Sequence, residues 1–264
     1  MLDPTDLAVR GVRAKLRRAS DHLEALYSGI SAFTDGHPAS LNRPRQLDPE
    51  TWVCDAVLCK PIPIEWSVAL GEFVHNLRSA LDNTVSLMSV FHGGSDARSA
   101  FPIYDTPDKF ERRGRRKIVG LPQEATAFIE RLQPFASKAV IPHYLHSLEE
   151  MWNADKHRTL HPWGVQLGER DVTIRPHPET VVIVSEEWKS GVIHDGAEAL
   201  RLTFSEPTYQ VEMEGSVAFQ IVVETPDDPT GEYGGTFMSL YDGVASVVHA
   251  LLAMIDGYPA YPPY

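Results

Sequence analysis

Residues 171–224, DVTIRPHPETVVIVSEEWKSGVIHDGAEALRLTFSEPTYQVEMEGSVAFQIVVE, hold five short runs rich in valine, isoleucine and threonine. The runs are DVTIRPH, TVVIVSE, ALRLTF, YQVEM and VAFQIVVE, with turn residues between them. β-Branched side chains suit a pleated, half-buried surface, so the stretch predicts an antiparallel sheet of about five strands.

The chain upstream reads as helices. Val9, Val12, Leu16, Ala19, Leu23, Leu26, Ile30 and Phe33 recur at steps of three and four, a narrow apolar seam for helix packing. A proline-punctuated loop follows, and TWVCDAVLC at 51–59 reads as a strand. A second helix is expected from Glu65 to Phe91, with Trp66, Leu70, Phe73, Leu77, Leu81, Thr84, Met88 and Phe91 on its core face. Further helices are expected over 122–132 and between Pro142 and Pro162. Downstream of the sheet, PDDPTGEYGG reads as a linker, residues 236–256 as a last helix, and YPAYPPY as a non-helical tail. The order is that of an α+β protein. The expected division is a helical bundle over 1–165, then a small antiparallel sheet and C-terminal helix over 166–264, that helix packing on the sheet.

The chain has 264 residues, 43% hydrophobic and 23% charged, which is enough to build a core. Its formal net charge of −12 disfavours broad binding to nucleic acid unless a local patch overrides it. One basic run exists, Glu111-Arg112-Arg113-Gly114-Arg115-Arg116-Lys117, and it reads first as a solvated loop balancing acidic neighbours. No apolar run is long enough to span a bilayer, and the N-terminus has no signal-peptide pattern, so a cytoplasmic protein is expected. If Cys54 and Cys59 share a strand, they lie about 17 Å apart on opposite faces, too far for a disulfide. Self-association through helix faces fits the pattern.

Two helical stretches carry the chemistry, HNLRSALDN at 75–83 and NADKHRTLH at 153–161. With Leu77 at zero on a helical wheel, Arg78, Asp82 and His75 fall at about 100°, 140° and 160°, opposite the apolar stripe. Asp155 instead continues the core face formed by Ile141, Tyr144, Leu145, Leu148, Met151 and Trp152. A buried carboxylate needs a cation or a proton, and Arg78 and His75 are the expected partners. The opposite face of the same helix strings together His146, Glu150, Asn153, His157 and His161. His146, Glu150, His157 and His161 could ligate a divalent transition metal, although no His-Glu-x-x-His string is present.

The motif order ALGEFVHNLRSALDN, FPI, RLQPF and LHSLEEMWNADKHRTL resembles a widespread group of bacterial proteins over residues 66–161. The resemblance implies no particular activity. A looser similarity is to helical ribonucleases of the HEPN type, which set a histidine four to six residues after an arginine. Here Arg78 has no such follower, and His161 comes too soon after Arg158.

Two functional classes compete. In one, His75, Arg78, Asp82, Asp155 and Arg158 form an interhelical polar lock in an interaction module, or grip a small anionic ligand. In the other, His75 or His157 is the general acid or base of a hydrolase, with Arg78 or Arg158 holding a phosphate or carboxylate. The metal-dependent and ribonuclease versions recruit the histidine stripe and Arg158. The common Walker, dinucleotide-binding and G-x-S-x-G patterns are absent from the sequence.

Overall fold

A computed structural model describes residues 4–137, 144–157, 163–223 and 237–255. It is an α+β protein. Helix α1 spans Pro4–Thr34, followed by strands β1 (Ala39–Leu41), β2 (Arg45–Asp48) and β3 (Thr51–Leu58). Helix α2 runs Glu65–Phe91. The short α3, Pro107–Lys109, passes into a π turn at Phe110–Gly114 and a 3-10 turn at Arg115–Lys117. Then come α4 (Gln123–Arg131), α5 (Tyr144–His157), β4 (Trp163–His177), β5 (Ile183–Trp188), β6 (Glu198–Phe204), β7 (Gln210–Val223) and α6 (Phe237–Ala253). The linker at 226–235 and the tail at 258–264 lie outside the described residues.

The chain forms two compact units. The helical unit takes its described residues from Met1–Leu26, Val68–Leu160 and Gly235–Tyr264, and the strand unit from Tyr27–Ser67 and His161–Gly234. This differs from the expected boundary near residue 165. β1, β2 and β3 belong with the later strands, and α6 belongs with the helices rather than on the sheet.

The reason for the placement of α6 lies in its packing. Gly243 lets α6 close on the ring of Tyr144, where a Cβ would stand 2.8 Å from Cδ2. Phe237 meets Phe73 edge-on at 6.1 Å. Leu240, Val244, Val247, Val248, Leu251 and Leu252 are buried along it. α2 is enclosed on most sides: beyond the expected stripe, Val74, Asn76, Arg78, Ala80 and Val85 are buried, while Phe91 is 39% exposed at its end. Each large apolar side chain taken from water stabilises by about 1.5–3 kcal/mol. Burial on most sides also means that the polar groups on those sides of α2 need internal partners.

In the strand unit the sheet order is β1-β3-β6-β5, antiparallel throughout, with β2 also paired to β3. β4 and β7 form a separate two-stranded ribbon. Ile174 and Met213 of the ribbon pack on Trp52, Cys54, Leu200 and Leu202 of the sheet, and Val165 and Phe219 on Ala56 and Ala199. YQVEM and VAFQIVVE, expected as two strands, are one. Gly215 carries the chain between them at φ 123°, where a Cβ would run into the Asp171 carbonyl. Burial pushes the Cys54 thiol up to about 11, whereas Cys59 is exposed, and both thiols are free.

Candidate functional site

The two motif helices lie side by side within the helical unit, and three contacts show that they run antiparallel. Asp155 sits over Gly71, where an added Cβ would come 3.1 Å from its carboxyl carbon. The His75 ring lies against Trp152, with centroids 5.1 Å apart and planes tilted by 41°. Arg78 Nη1 approaches Glu149 Oε2 at 3.6 Å. Successive steps of four and three residues up α2 match steps of three down α5, the spacing that keeps residues on one helix face.

Arg78 is the centre of the arrangement, with a side chain only 5% exposed. Its Nη2 donates to the Phe101 carbonyl at 2.8 Å and stands 3.3 Å from Asp82 Oδ1. The same Asp82 oxygen accepts from the Phe101 amide at 2.9 Å. One residue pair, a turn apart on α2, thus holds both backbone groups of Phe101. Gln133, fully buried, continues the grip: its Nε2 donates to the Pro102 and Ile129 carbonyls at 2.8 and 3.0 Å. Its Oε1 accepts from the Tyr104 amide at 3.1 Å.

The backbone explains why such side chains are needed. Phe101 and Ile103 are buried, but the segment FPIY at 101–104 is neither helix nor strand, and Pro102 has no amide hydrogen. Its polar groups have no ladder to join, and leaving them unpaired in the interior would be costly. Arg78, Asp82 and Gln133 supply the missing partners. Three of the sequence motifs, HNLRSALD, FPI and RLQPF, therefore meet at one point.

The outcome differs from the sequence expectations in three respects. Arg78, expected on an outer face, is buried because the 101–104 segment and α5 cover that side of α2. Its carboxylates are Asp82 and Glu149, not Asp155. Asp155 is half-buried, with no ion pair or hydrogen bond among the described residues; Gly71 gives its carboxylate room instead. Sequence reasoning missed Glu149 and Gln133. Gln133 stands between Leu132, the residue that caps α4, and Pro134, where no periodicity marks it as buried.

His75 is exposed, as is Asn83 at the end of the motif. Its Nε2 lies 3.4 Å from Ser79 Oγ, and no carboxylate pairs with it among the described residues. Neighbouring Glu72 pairs with His22 at 3.3 Å. Of the expected metal set, His146 and Glu150 are half-buried on α5, while the His157 side chain and His161 lie outside the described residues, as does Arg158 of the expected lock. Among the described residues no three His, Cys, Asp or Glu side chains converge as metal ligands. His146 lies near Asp105, whose carboxyl is held below its usual range mainly by Lys109, with His146 a lesser contributor.

Of the buried polar atoms, Arg78 Nη1 and Glu149 Oε2 alone in this cluster lack a hydrogen bond among the described residues, since 3.6 Å is beyond hydrogen-bond reach. No helix among the described residues is long and apolar enough to cross a membrane. Comparison with family models, curated proteins and solved structures finds no match to the chain.

Proposed function

We propose that the protein acts by binding, as an interaction module whose paired motifs are an interhelical lock rather than a catalytic centre. The observation that carries this reading is the burial of Arg78 with its Nη2 held by Phe101 and Asp82 and its Nη1 facing Glu149 at 3.6 Å. A group gripping a substrate phosphate or carboxylate needs an open approach, and this one is filled by the protein's own carbonyl and carboxylates. The lock fixes the 101–104 segment against α2 and leaves His75, Ser79 and Trp152 as the accessible part of the seam.

The competing small-anion reading makes a different prediction. Thermal unfolding should be followed with inorganic phosphate added to wild type and to Arg78→Gln. A lock predicts no phosphate effect that depends on Arg78. A phosphate-induced rise in Tm present in wild type and lost in Arg78→Gln would overturn the lock in favour of an anion site.

A hydrolytic reading has one specific observation in its favour, the exposed His75 beside Ser79. It requires that His75→Ala abolish hydrolysis of activated ester or phosphoester substrates by protein of unchanged stability. Hydrolysis equal in wild type and His75→Ala would remove it. The metal-dependent and HEPN-like ribonuclease readings depend on His157, Arg158 and His161. RNA cleavage that survives His157→Ala and Arg158→Ala would remove the latter.

A further inference from the structure

The lock leaves unused the basic run that follows the 101–104 segment. The helical rod from α3 through the π and 3-10 turns buries Phe110, Gly114 and Ile118; Lys109, Arg112, Arg113 and Arg116 are exposed, while Arg115 and Lys117 are half-buried over the Phe110 and Tyr104 rings. Lys109, Arg112, Arg113, Arg116 and Lys117 follow one another at steps of three and one, a stripe along one side of the rod. Over the nine residues from Lys109 to Lys117 it extends about 12 Å.

The acidic neighbours do not use up this charge. Asp105 pairs with Lys109 at 2.8 Å and Asp108 with Arg112 at 3.0 Å, while Glu111 and Glu130 both go to the half-buried Arg115 at 2.9 Å. Arg113 and Arg116 are exposed with no ion pair among the described residues. The pairs on Lys109 and Arg112 are themselves exposed, and such pairs contribute little and exchange readily. A π turn is an uncommon conformation, found often at functional sites. Here it is held by Gly114 against the rings of Phe110 and Tyr104.

Beside the end of the stripe are exposed rings. The Ala100 amide donates to the Lys117 carbonyl, and the turn at Gly94 lies against Gly120. These contacts bring the end of α2 to the rod, where Phe91 is 39% exposed and packs edge-on against exposed His92 at 5.2 Å. Arg98, also exposed, stands two residues before Ala100. Guanidinium groups match phosphate oxygens in pairs, and flat exposed rings take unpaired bases by stacking.

We infer that this rod and the Phe91–His92 pair form a docking surface for single-stranded nucleic acid, the stripe following the phosphates and the rings stacking bases. The chain's overall net charge of −12 makes such binding weak and strongly salt-dependent. Exposed rings favour this partner over an acidic peptide, which has carboxylates for the arginines but no bases for Phe91 and His92. The surface shares no residue with the Arg78 lock, so failure of either idea leaves the other standing.

The test is fluorescence anisotropy of a labelled mixed-sequence single-stranded DNA oligonucleotide with the full chain, over a salt series. The expected result is saturable binding at low salt, with a log–log slope of about −2, three phosphates at about 0.7 each. Arg113→Glu/Arg116→Glu should weaken it at least about tenfold and flatten the slope. Phe91→Ala should weaken it about fivefold or more with the slope unchanged. The charge-matched control Arg17→Glu/Arg18→Glu, on exposed positions of α1, should bind like wild type once its long-range charge is screened. All variants are checked for wild-type circular dichroism, with Arg113→Gln/Arg116→Gln used if the charge reversals do not fold. No binding at low salt, or equal loss in both double variants, would overturn the proposal. Displacement by poly-glutamate with no effect of Phe91→Ala would overturn it in favour of an acidic peptide.

Discussion

Replacing Arg78 with methionine keeps most of the side-chain volume and removes the charge and all its donors. Asp82 keeps its bond from the Phe101 amide, but the Phe101 carbonyl and the buried Glu149 Oε2 lose their cationic neighbour. Removing one member of a buried charge pair typically costs about 3–5 kcal/mol, much of it for stranding the partner. Asp82 and Glu149 are 33% and 28% exposed, so water can rehydrate part of them and the lower end applies. We therefore expect Arg78→Met to cost about 3 kcal/mol, or a fall in Tm of about 6–12 °C if both units unfold together. Urea denaturation followed by circular dichroism measures the loss. Adding Glu149→Gln to Arg78→Met should recover about 1 kcal/mol or more, and the same change in wild type should be costly, giving a coupling of at least about 1 kcal/mol. Hydrogen exchange provides a local readout: the Phe101 and Tyr104 amides should lose protection in Arg78→Met before the rest of the helical unit does. A loss under about 1 kcal/mol with no coupling to Glu149 would refute the reasoning and the lock with it.

Three further outcomes follow from the geometry. Gly71→Ala should lose up to about 2 kcal/mol, because its Cβ meets the Asp155 carboxylate and the gain in helix propensity offsets only about 1 kcal/mol; Gly71→Ala/Asp155→Ala should be more stable than the single variant in the same urea assay. His249 is held below its ordinary pKa by burial first and by Arg13 second, so its contribution is present above about pH 6.5 and lost as pH falls through the lower folded value. Stability should therefore drop between about pH 7 and pH 5, and His249→Gln should flatten that part of the profile. Thiol labelling at pH 8 should modify Cys59 at once and Cys54 only after denaturation, since burial holds the Cys54 thiol up at about 11; two fast-reacting thiols in the native protein would contradict the burial of Cys54 within the strand unit.

Periodicity alone located the long helices, because Leu70, Phe73, Leu77 and Leu81 repeat as a helix face must when it is buried. Valine-rich alternation likewise located β5 and β6 and the α+β class. The wheel failed at Arg78. It assigns faces from one helix at a time and equates the side opposite the apolar stripe with water. Whether that side is wet depends on what else packs there, and Phe101 arrives from a segment with no periodicity to reveal it. The same limit hid β1 and β2 among prolines and Gln133 at a helix end.

What the sequence determined by itself was the local content: which stretches are helical, which extended, and where charge and polarity concentrate on each. Those are short-range properties, set by side-chain shape and spacing along one element. The partners of Arg78, the placement of Asp155 over Gly71 and the placement of α6 among the helices were decided only by the tertiary structure. Each depends on residues far apart in the chain, brought together because buried charges and backbone groups must find partners wherever the packing offers them.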